Sequence, residues 1–515
     1  MAFPRKKSAE KDSLAIQLFG NRINAGQTLG EYLLEFLLVF ASAKCDDKVN
    51  NGQFEFHTSE QVKNAEDPSS PDGLNYFTVP RNGLKRFIFY ARSKQDSHTA
   101  IDDEAYQAMM QMVMAKCEDP EWAYMLQDLL YGYALVIKKR GWYAQSLTPI
   151  APELLFPETL GVNARKAKSF DAKPINVETA FSYGSHDFLA RGGEMYYLHL
   201  LYGIYKQEGG KQYKEKIEQG IRYMLTEKSS GFTTIANKLQ NWWLENQEID
   251  REDKENRNKL VRTMNLEFLQ DGFGRRSLYS LEELSCFLSN ELHPIQRIEL
   301  LTKGVVLTLL RCMHLQAYYT VHKDDVAAPE WILDLRAGSA TSNVAKLAAR
   351  SYREAYAEFG NALNFIAQEM RELQETQNKK SNFQRVSEAL TDSADVFKKM
   401  GKEIQLVIPP KGAYERFSLS EDLVRYLVLS LVPPDTKMTF DTFLKKLYDH
   451  FGMVIGPEQY NGIDAEPGMK GYLTENKDQF QEFLKSCGLL RDLSDATSIV
   501  VNPYAGAKYL STEVD

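Results

Sequence analysis

A chain of 515 residues with a net charge of −8, 43% apolar and 26% charged residues, has the make-up of an ordinary globular protein and room for roughly two to four domains. Its mild acidity excludes a surface that coats nucleic acid or an anionic membrane as a whole. Five cysteines (Cys45, Cys117, Cys286, Cys312 and Cys487) are scattered, with no two in a C-x2–4-C pair; this excludes a zinc finger or a disulfide scaffold and leaves reduced thiols in a cytoplasmic protein as the expectation.

The residues around Arg5-Lys6-Lys7 contain no apolar run of signal-peptide form. The most apolar run, Tyr32 to Ala43, is too short for a membrane span and contains Glu35. With Thr28 ahead of it as a cap, residues 29–43 read as a core helix that turns Leu33, Phe36, Leu37 and Phe40 inward. Asp46 to Gly73 reads as a polar loop holding a short strand at Phe54–Phe56, and Arg86–Arg92 fits either a strand or the start of a helix. Helices are predicted over Glu104–Lys116 and Trp122–Lys139. Gly141 to Asp187, with Pro149, Pro152, Pro157 and Pro174, reads as a long irregular connection. Helical periodicity returns over Gly192–Tyr205, Tyr213–Thr226, Phe232–Glu245, Lys254–Leu269, Ser280–Asn290 and Pro294–Tyr319. The longest predicted helix, Ser342 to Gln377, forms a hairpin with one running to Met400. A strand at Ile404–Ile408 and the linker Pro409-Pro410-Lys411-Gly412 close this part.

Phe417 to Tyr504 has the clearest pattern. Ser418 and Glu421 have capping-box spacing, and Leu423, Val424, Leu427, Val428 and Leu431 then share a helix face up to Pro433-Pro434. Thr439 caps a second helix that ends at Gly452, and a third ends at Gly488. Leu489-Leu490 and Ile499-Val500-Val501 flank a turn at Ser494-Asp495. Three helices and a hairpin are the order of a winged helix. Between Glu415 and Asn502, however, nine Lys and Arg face fourteen Asp and Glu. Such a surface would repel a duplex, so Glu475, Asp478 and Glu482 on the third helix read as partner-binding residues. The predicted fold class is mainly α. Its segments are an N-terminal helical domain with a basic segment (1–145), an irregular linker (146–187), a central helical domain with a long hairpin (188–408) and a winged-helix-like domain (409–515).

No assembled active site is legible. Gly209-Gly210-Lys211 lacks the first glycine and the Ser/Thr of a P-loop, and there is no H-E-x-x-H motif. His314 lies in an apolar helix and reads as a satisfied core histidine. Glu194 in Arg191-Gly-Gly-Glu194 reads as complementing a helix start. No catalytic residue, metal or cofactor is predicted. Pro80 to Lys94 carries Arg81, Lys85, Arg86, Arg92 and Lys94 with Phe87, Phe89 and Tyr90 and no acid, a mixture that offers charge to phosphates and rings to bases. Lys138, Lys139 and Arg140 beside Trp142 and Tyr143 add a second nucleic-acid candidate, and Arg165, Lys166 and Lys168 a third basic patch.

Two stretches, Phe188 to Leu200 and Phe443 to Gly452 with Cys487 to Asp495, resemble non-enzymatic helical subunits encoded beside ATPases in bacterial anti-phage and DNA-restriction operons. The missing active site and the contrast between the basic N-terminal segment and the acidic end lead, with this resemblance, to the expectation of a scaffold or adaptor that docks an ATPase or nuclease partner, touches DNA through the basic segment and involves no membrane. The alternatives are a stand-alone winged-helix DNA-binding regulator and a metal-independent nuclease using Arg92 and His98.

Overall fold

The computed structural model describes residues 13–20, 23, 26–45, 54–67, 73–78, 81–92, 100–135, 146–147, 150–156, 192–228, 230–244, 261–264, 274–322, 327–335, 342–370, 381–461, 468–494 and 497–512, and they are mainly helical. Along the chain run α1 (Leu14–Phe19), α2 (Leu29–Ala41), α3 (Ser59–Glu66), β1 (Leu74–Phe77), α4 (Asn82–Phe89), α5 (Ala100–Lys116), α6 (Glu121–Tyr131), β2 (Ala134–Leu135), β3 (Ser146–Leu147), α7 (Gly192–Lys206), α8 (Lys214–Arg222), α9 (Ser230–Leu244) and β4 (Val261–Met264). Then come α10 (Gly274–Leu288), α11 (Pro294–Val321), β5 (Trp331–Ile332), α12 (Asn343–Glu369), α13 (Asn382–Thr391), α14 (Ala394–Glu403), β6 (Val407–Ile408) and β7 (Arg416–Phe417). The chain closes with α15 (Glu421–Leu431), β8 (Lys437–Thr439), α16 (Phe440–Phe451), β9 (Met453–Val454), α17 (Met469–Ser486), β10 (Leu490–Ser494) and β11 (Thr497–Val501). Two compact units divide them. One, the α2 unit, takes residues 30–197 and 221–264; the other, the α11 unit, takes 1–29, 198–220 and 265–515.

In the α2 unit, every residue of α2 from Glu31 to Phe40 is buried, its two glutamates included. Lys44 Nζ donates to the carbonyls of Val39, Phe40 and Ser42 at 2.5, 3.1 and 2.6 Å, closing the helix end with a cation. The first turn of α7 lies directly on α2: a Cβ at Gly193 would fall 2.5 Å from both Phe36 N and Tyr32 O. Its amide donates to Glu35 Oε2 at 2.7 Å, and the Tyr76 hydroxyl donates to Glu194 Oε1 at 2.6 Å. Phe40, Phe56 and Tyr197 interlock beside them. β1 pairs antiparallel with β4, Leu74 opposite Met264 and Phe77 opposite Val261. α4 packs among α5, α6 and α9.

The α11 unit is built on α11, buried along most of its length, with α1, α12, α14 and α15 against it. Gly304 marks the crossing of α15, because a Cβ there would lie 2.1 Å from the Tyr426 ring. Strand β5 pairs in parallel with β9, Trp331 opposite Met453. In the C-terminal stretch the Thr439 hydroxyl accepts from the Thr442 amide at 3.2 Å, and Gly452 and Gly488 end their helices at φ of 67° and 73°. β11 is the centre of a three-stranded antiparallel sheet, between β10 and β8.

Several expectations need correction. Residues 54–56 form no strand: Phe54 has φ of 48°, which breaks an extended ladder. The 86–92 stretch is helix α4 followed by a 3-10 turn at Tyr90–Arg92. The helix expected to run to Lys139 stops at Tyr131, where Gly132 precedes β2. Val261–Met264 is strand rather than helix, with the alternating burial of a paired edge. The second arm of the hairpin is two helices, broken at Ser393, whose hydroxyl turns back to Ala389 O at 2.6 Å. Ser420 caps α15. The Ser418 hydroxyl instead donates to Asp334 O at 2.7 Å, because β7 has not yet released the chain there.

Candidate functional site

Among the described residues expected to meet nucleic acid, Arg81, Lys85 and Arg86 are engaged or buried within the protein. Arg81 donates to the carbonyls of Pro152 and Leu155 at 2.5 and 3.2 Å, and burial pulls its guanidinium down to about 10 against the pull of Glu153. Lys85 and Arg86 are 4% and 1% exposed, since α4 is enclosed by three helices. In this conformation neither reaches a phosphate chain. Arg92 is exposed, but it pairs with Asp128 and lies 4.5 Å over the Tyr131 ring. Lys94, His98, Lys138, Lys139, Arg140, Arg165, Lys166 and Lys168 lie outside the described residues.

The acidic face of α17 is placed differently. Glu475, Asp478 and Glu482 are exposed, while Leu473, Asn476, Phe480 and Leu484 are buried. Helical spacing alone produces this split. Asn476 orients the helix: its amide donates to Leu333 O and Ile455 O at 3.0 and 2.9 Å and its oxygen accepts from the Leu335 amide at 3.0 Å. The lysines beside the face are neutralised, Lys477 by Asp441 and Glu458, Lys485 by Glu482 and Asp492.

A surface the sequence reading missed lies on α6. Trp122, Tyr124, Met125 and Leu129 are 47, 53, 66 and 45% exposed, while Ala123, Gln127 and Leu130 face the core. The signal was a second apolar stripe at positions i, i+3 and i+7 (Trp122, Met125 and Leu129), which a single core contact cannot use.

The α11 unit also buries a polar network. Glu283 accepts from both terminal nitrogens of Arg276 and from His450 Nδ1 at 2.8 Å. The guanidinium lies 4.5 Å over Phe451, and His450 stacks on Tyr279 at 4.1 Å. Alongside, His199 Nε2 stands 2.9 Å from the Ser280 hydroxyl and 3.7 Å from Cys312 Sγ. These residue types could build a nucleophile and a base, but the geometry is inert. The Ser280 hydroxyl is also 3.1 Å from Arg276 O, so the backbone of its own helix competes with His199 for its proton. Burial, with Arg276 nearby, lowers His199 to about 3, and burial pushes the Cys312 thiol up to about 12. The network holds α10, α11 and α16 together.

A cavity of about 210 Å³ in the α2 unit is lined by Lys44, Cys45, His57 and Gln61 among others. His57 is engaged on both nitrogens, with the Tyr197 hydroxyl at 2.8 Å and Asn75 O at 2.7 Å. A larger cavity in the α11 unit is lined by His314, Tyr318, Arg350 and three glutamates. Among the described residues, no group of three or more His, Cys, Asp or Glu is placed to hold a metal ion, and no helix is long and apolar enough to cross a membrane. Comparison with family models, curated proteins and solved structures returns no match.

Proposed function

We propose that the chain is a non-catalytic, cytoplasmic helical scaffold or adaptor of a multi-subunit, DNA-acting bacterial defence complex, docking an ATPase or nuclease partner. The observation that carries this reading is the bare apolar face of α6, with Trp122, Tyr124, Met125 and Leu129 in water. Contiguous exposed apolar surface favours a site covered by another protein, and Trp, Tyr and Met are the residue types enriched at such interfaces. We read residues 409–515 as a winged-helix-like domain. Helix, strand, two helices and a hairpin, with β11 between β8 and β10, support that reading. The acids on α17 favour a protein over a duplex as its contact, since affinity for DNA rests on phosphate neutralisation. The resemblance at Phe188 to Leu200 and at Phe443 to Gly452 with Cys487 to Asp495 supports the defence setting.

The test is affinity purification of the tagged chain co-expressed with the products of its neighbouring genes, followed by mass photometry. A stoichiometric complex is expected, and Met125→Asp with Leu129→Asp should abolish it while circular dichroism stays unchanged. A lone monomer under all conditions, or a complex indifferent to both substitutions, overturns the proposal.

A further inference from the structure

The cavity beside α11 and α12 has a volume of about 370 Å³, within the range of small-molecule sites of roughly 300–1,000 Å³. His314, 1% exposed, is among its lining residues. Trp331 Nε1 donates to His314 Nδ1 at 2.9 Å, and an indole nitrogen can only donate. Nδ1 is therefore an acceptor, and the proton of the neutral imidazole resides on Nε2. Burial, then the charge of Arg311, keeps the ring neutral, well below the ordinary histidine range. Nε2 is buried and makes no hydrogen bond with the protein. His314, one of the lining residues, thus holds a buried N–H donor whose acceptor the chain does not supply, an arrangement that is costly unless something else supplies it.

A second orphan lies in the same lining. Glu358 Oε2 is buried without a hydrogen-bond partner and stands 3.6 Å from His322 Nε2, too far for a hydrogen bond. Among the other polar groups of the lining, Glu330 accepts from the Tyr448 hydroxyl at 3.0 Å, and Arg350 meets the Tyr460 hydroxyl at 3.3 Å and Glu354 at 3.8 Å.

What fits both orphans is narrow. A metal would need a lone pair on Nε2, which carries a proton. An ammonium group would satisfy Glu358 but offers His314 no lone pair. An anion would accept from His314 but meets Glu330, Glu354 and Glu358 against one arginine. A hydroxyl does both, accepting from His314 Nε2–H and donating to Glu358 Oε2. We propose that this cavity binds an uncharged, hydroxyl-bearing small molecule of sugar or nucleoside size, one hydroxyl of which bridges His314 and Glu358. This goes beyond the adaptor reading and is independent of any protein partner.

The test uses the full chain and titration calorimetry, with D-ribose and adenosine as uncharged hydroxyl probes, AMP as an anion and spermidine as a cation. Saturable binding of ribose or adenosine is expected, with AMP and spermidine weaker. Glu358→Gln should lower that affinity by about tenfold or more, the loss of one hydrogen bond to a charged acceptor. A second measurement needs no variant: in histidine-labelled wild-type protein, the His314 imidazole should show its proton on Nε2, and that nitrogen signal should move as the bound probe saturates. The inference fails if neither hydroxyl probe binds, so that an ordered water alone fills the site. It also fails if AMP or spermidine binds in preference, if a folded Glu358→Gln binds as tightly as wild type, or if the His314 signal is unmoved by a saturating probe.

Discussion

Two stretches of like charge, Arg81 to Arg92 and Glu475 to Glu482, look equivalent as sequence, yet one has most of its charge turned inward and the other turns it outward. The acids of α17 alternate with Leu473, Phe480 and Leu484 at helical spacing, so one face is free for charge. In α4 the cations Lys85 and Arg86 lie among Leu84, Phe87, Ile88 and Phe89, all buried, and a short helix enclosed by three others has no outer face to give them. Charge sign is a property of the sequence; its direction is set by how many sides of a helix are covered.

The largest expected effect tests whether buried charge is structural. Glu283→Ala leaves the Arg276 and His450 donors buried without their acceptor and should cost about 3–5 kcal/mol, read from urea unfolding. An unchanged midpoint would mean that the network contributes nothing. Arg81→Ala should cost about 1–3 kcal/mol through the lost bonds to Pro152 and Leu155. Should it leave stability untouched but abolish a salt-sensitive gel shift, the basic stretch would face nucleic acid after all.

Acidification comes next. Burial, with Lys44 nearby, lowers His57 to about 3, and burial, with Arg276, lowers His199 to about 3, from an ordinary 6.5. Between those values the unfolded chain binds protons that the folded chain does not, so stability should fall as pH drops below about 6.5. The urea midpoint at pH 5 should lie below that at pH 7, and His57→Gln should flatten the slope. Charge reversal at Glu475, Asp478 and Glu482 should have the smallest effect, within about 0.5 kcal/mol per site. Loss of co-purifying protein without loss of stability would mark that face as a docking surface.

The C-terminal helices were legible because local signals coincide: a face of Leu and Phe, a Thr439 cap, and glycines where positive φ is needed. β4 was not, since its partner β1 lies far away in sequence and four residues carry too little periodicity to reveal it. The α6 stripe lies within the helix predicted over Trp122–Lys139, and its exposed face was not singled out. His314 was read as a satisfied core histidine. One nitrogen fits that reading; the other does not, and only the position of Trp331 shows which.

Gly304 has a practical consequence. Tyr426 occupies the space a side chain would need there, so α15 is part of the packing around α11 even though Pro409 to Gly412 looks like a convenient place to cut. A fragment ending at that linker would lose the apolar cover over α11 that residues after it supply. Pieces meant to isolate the last hundred residues should keep α10 and α11 with them.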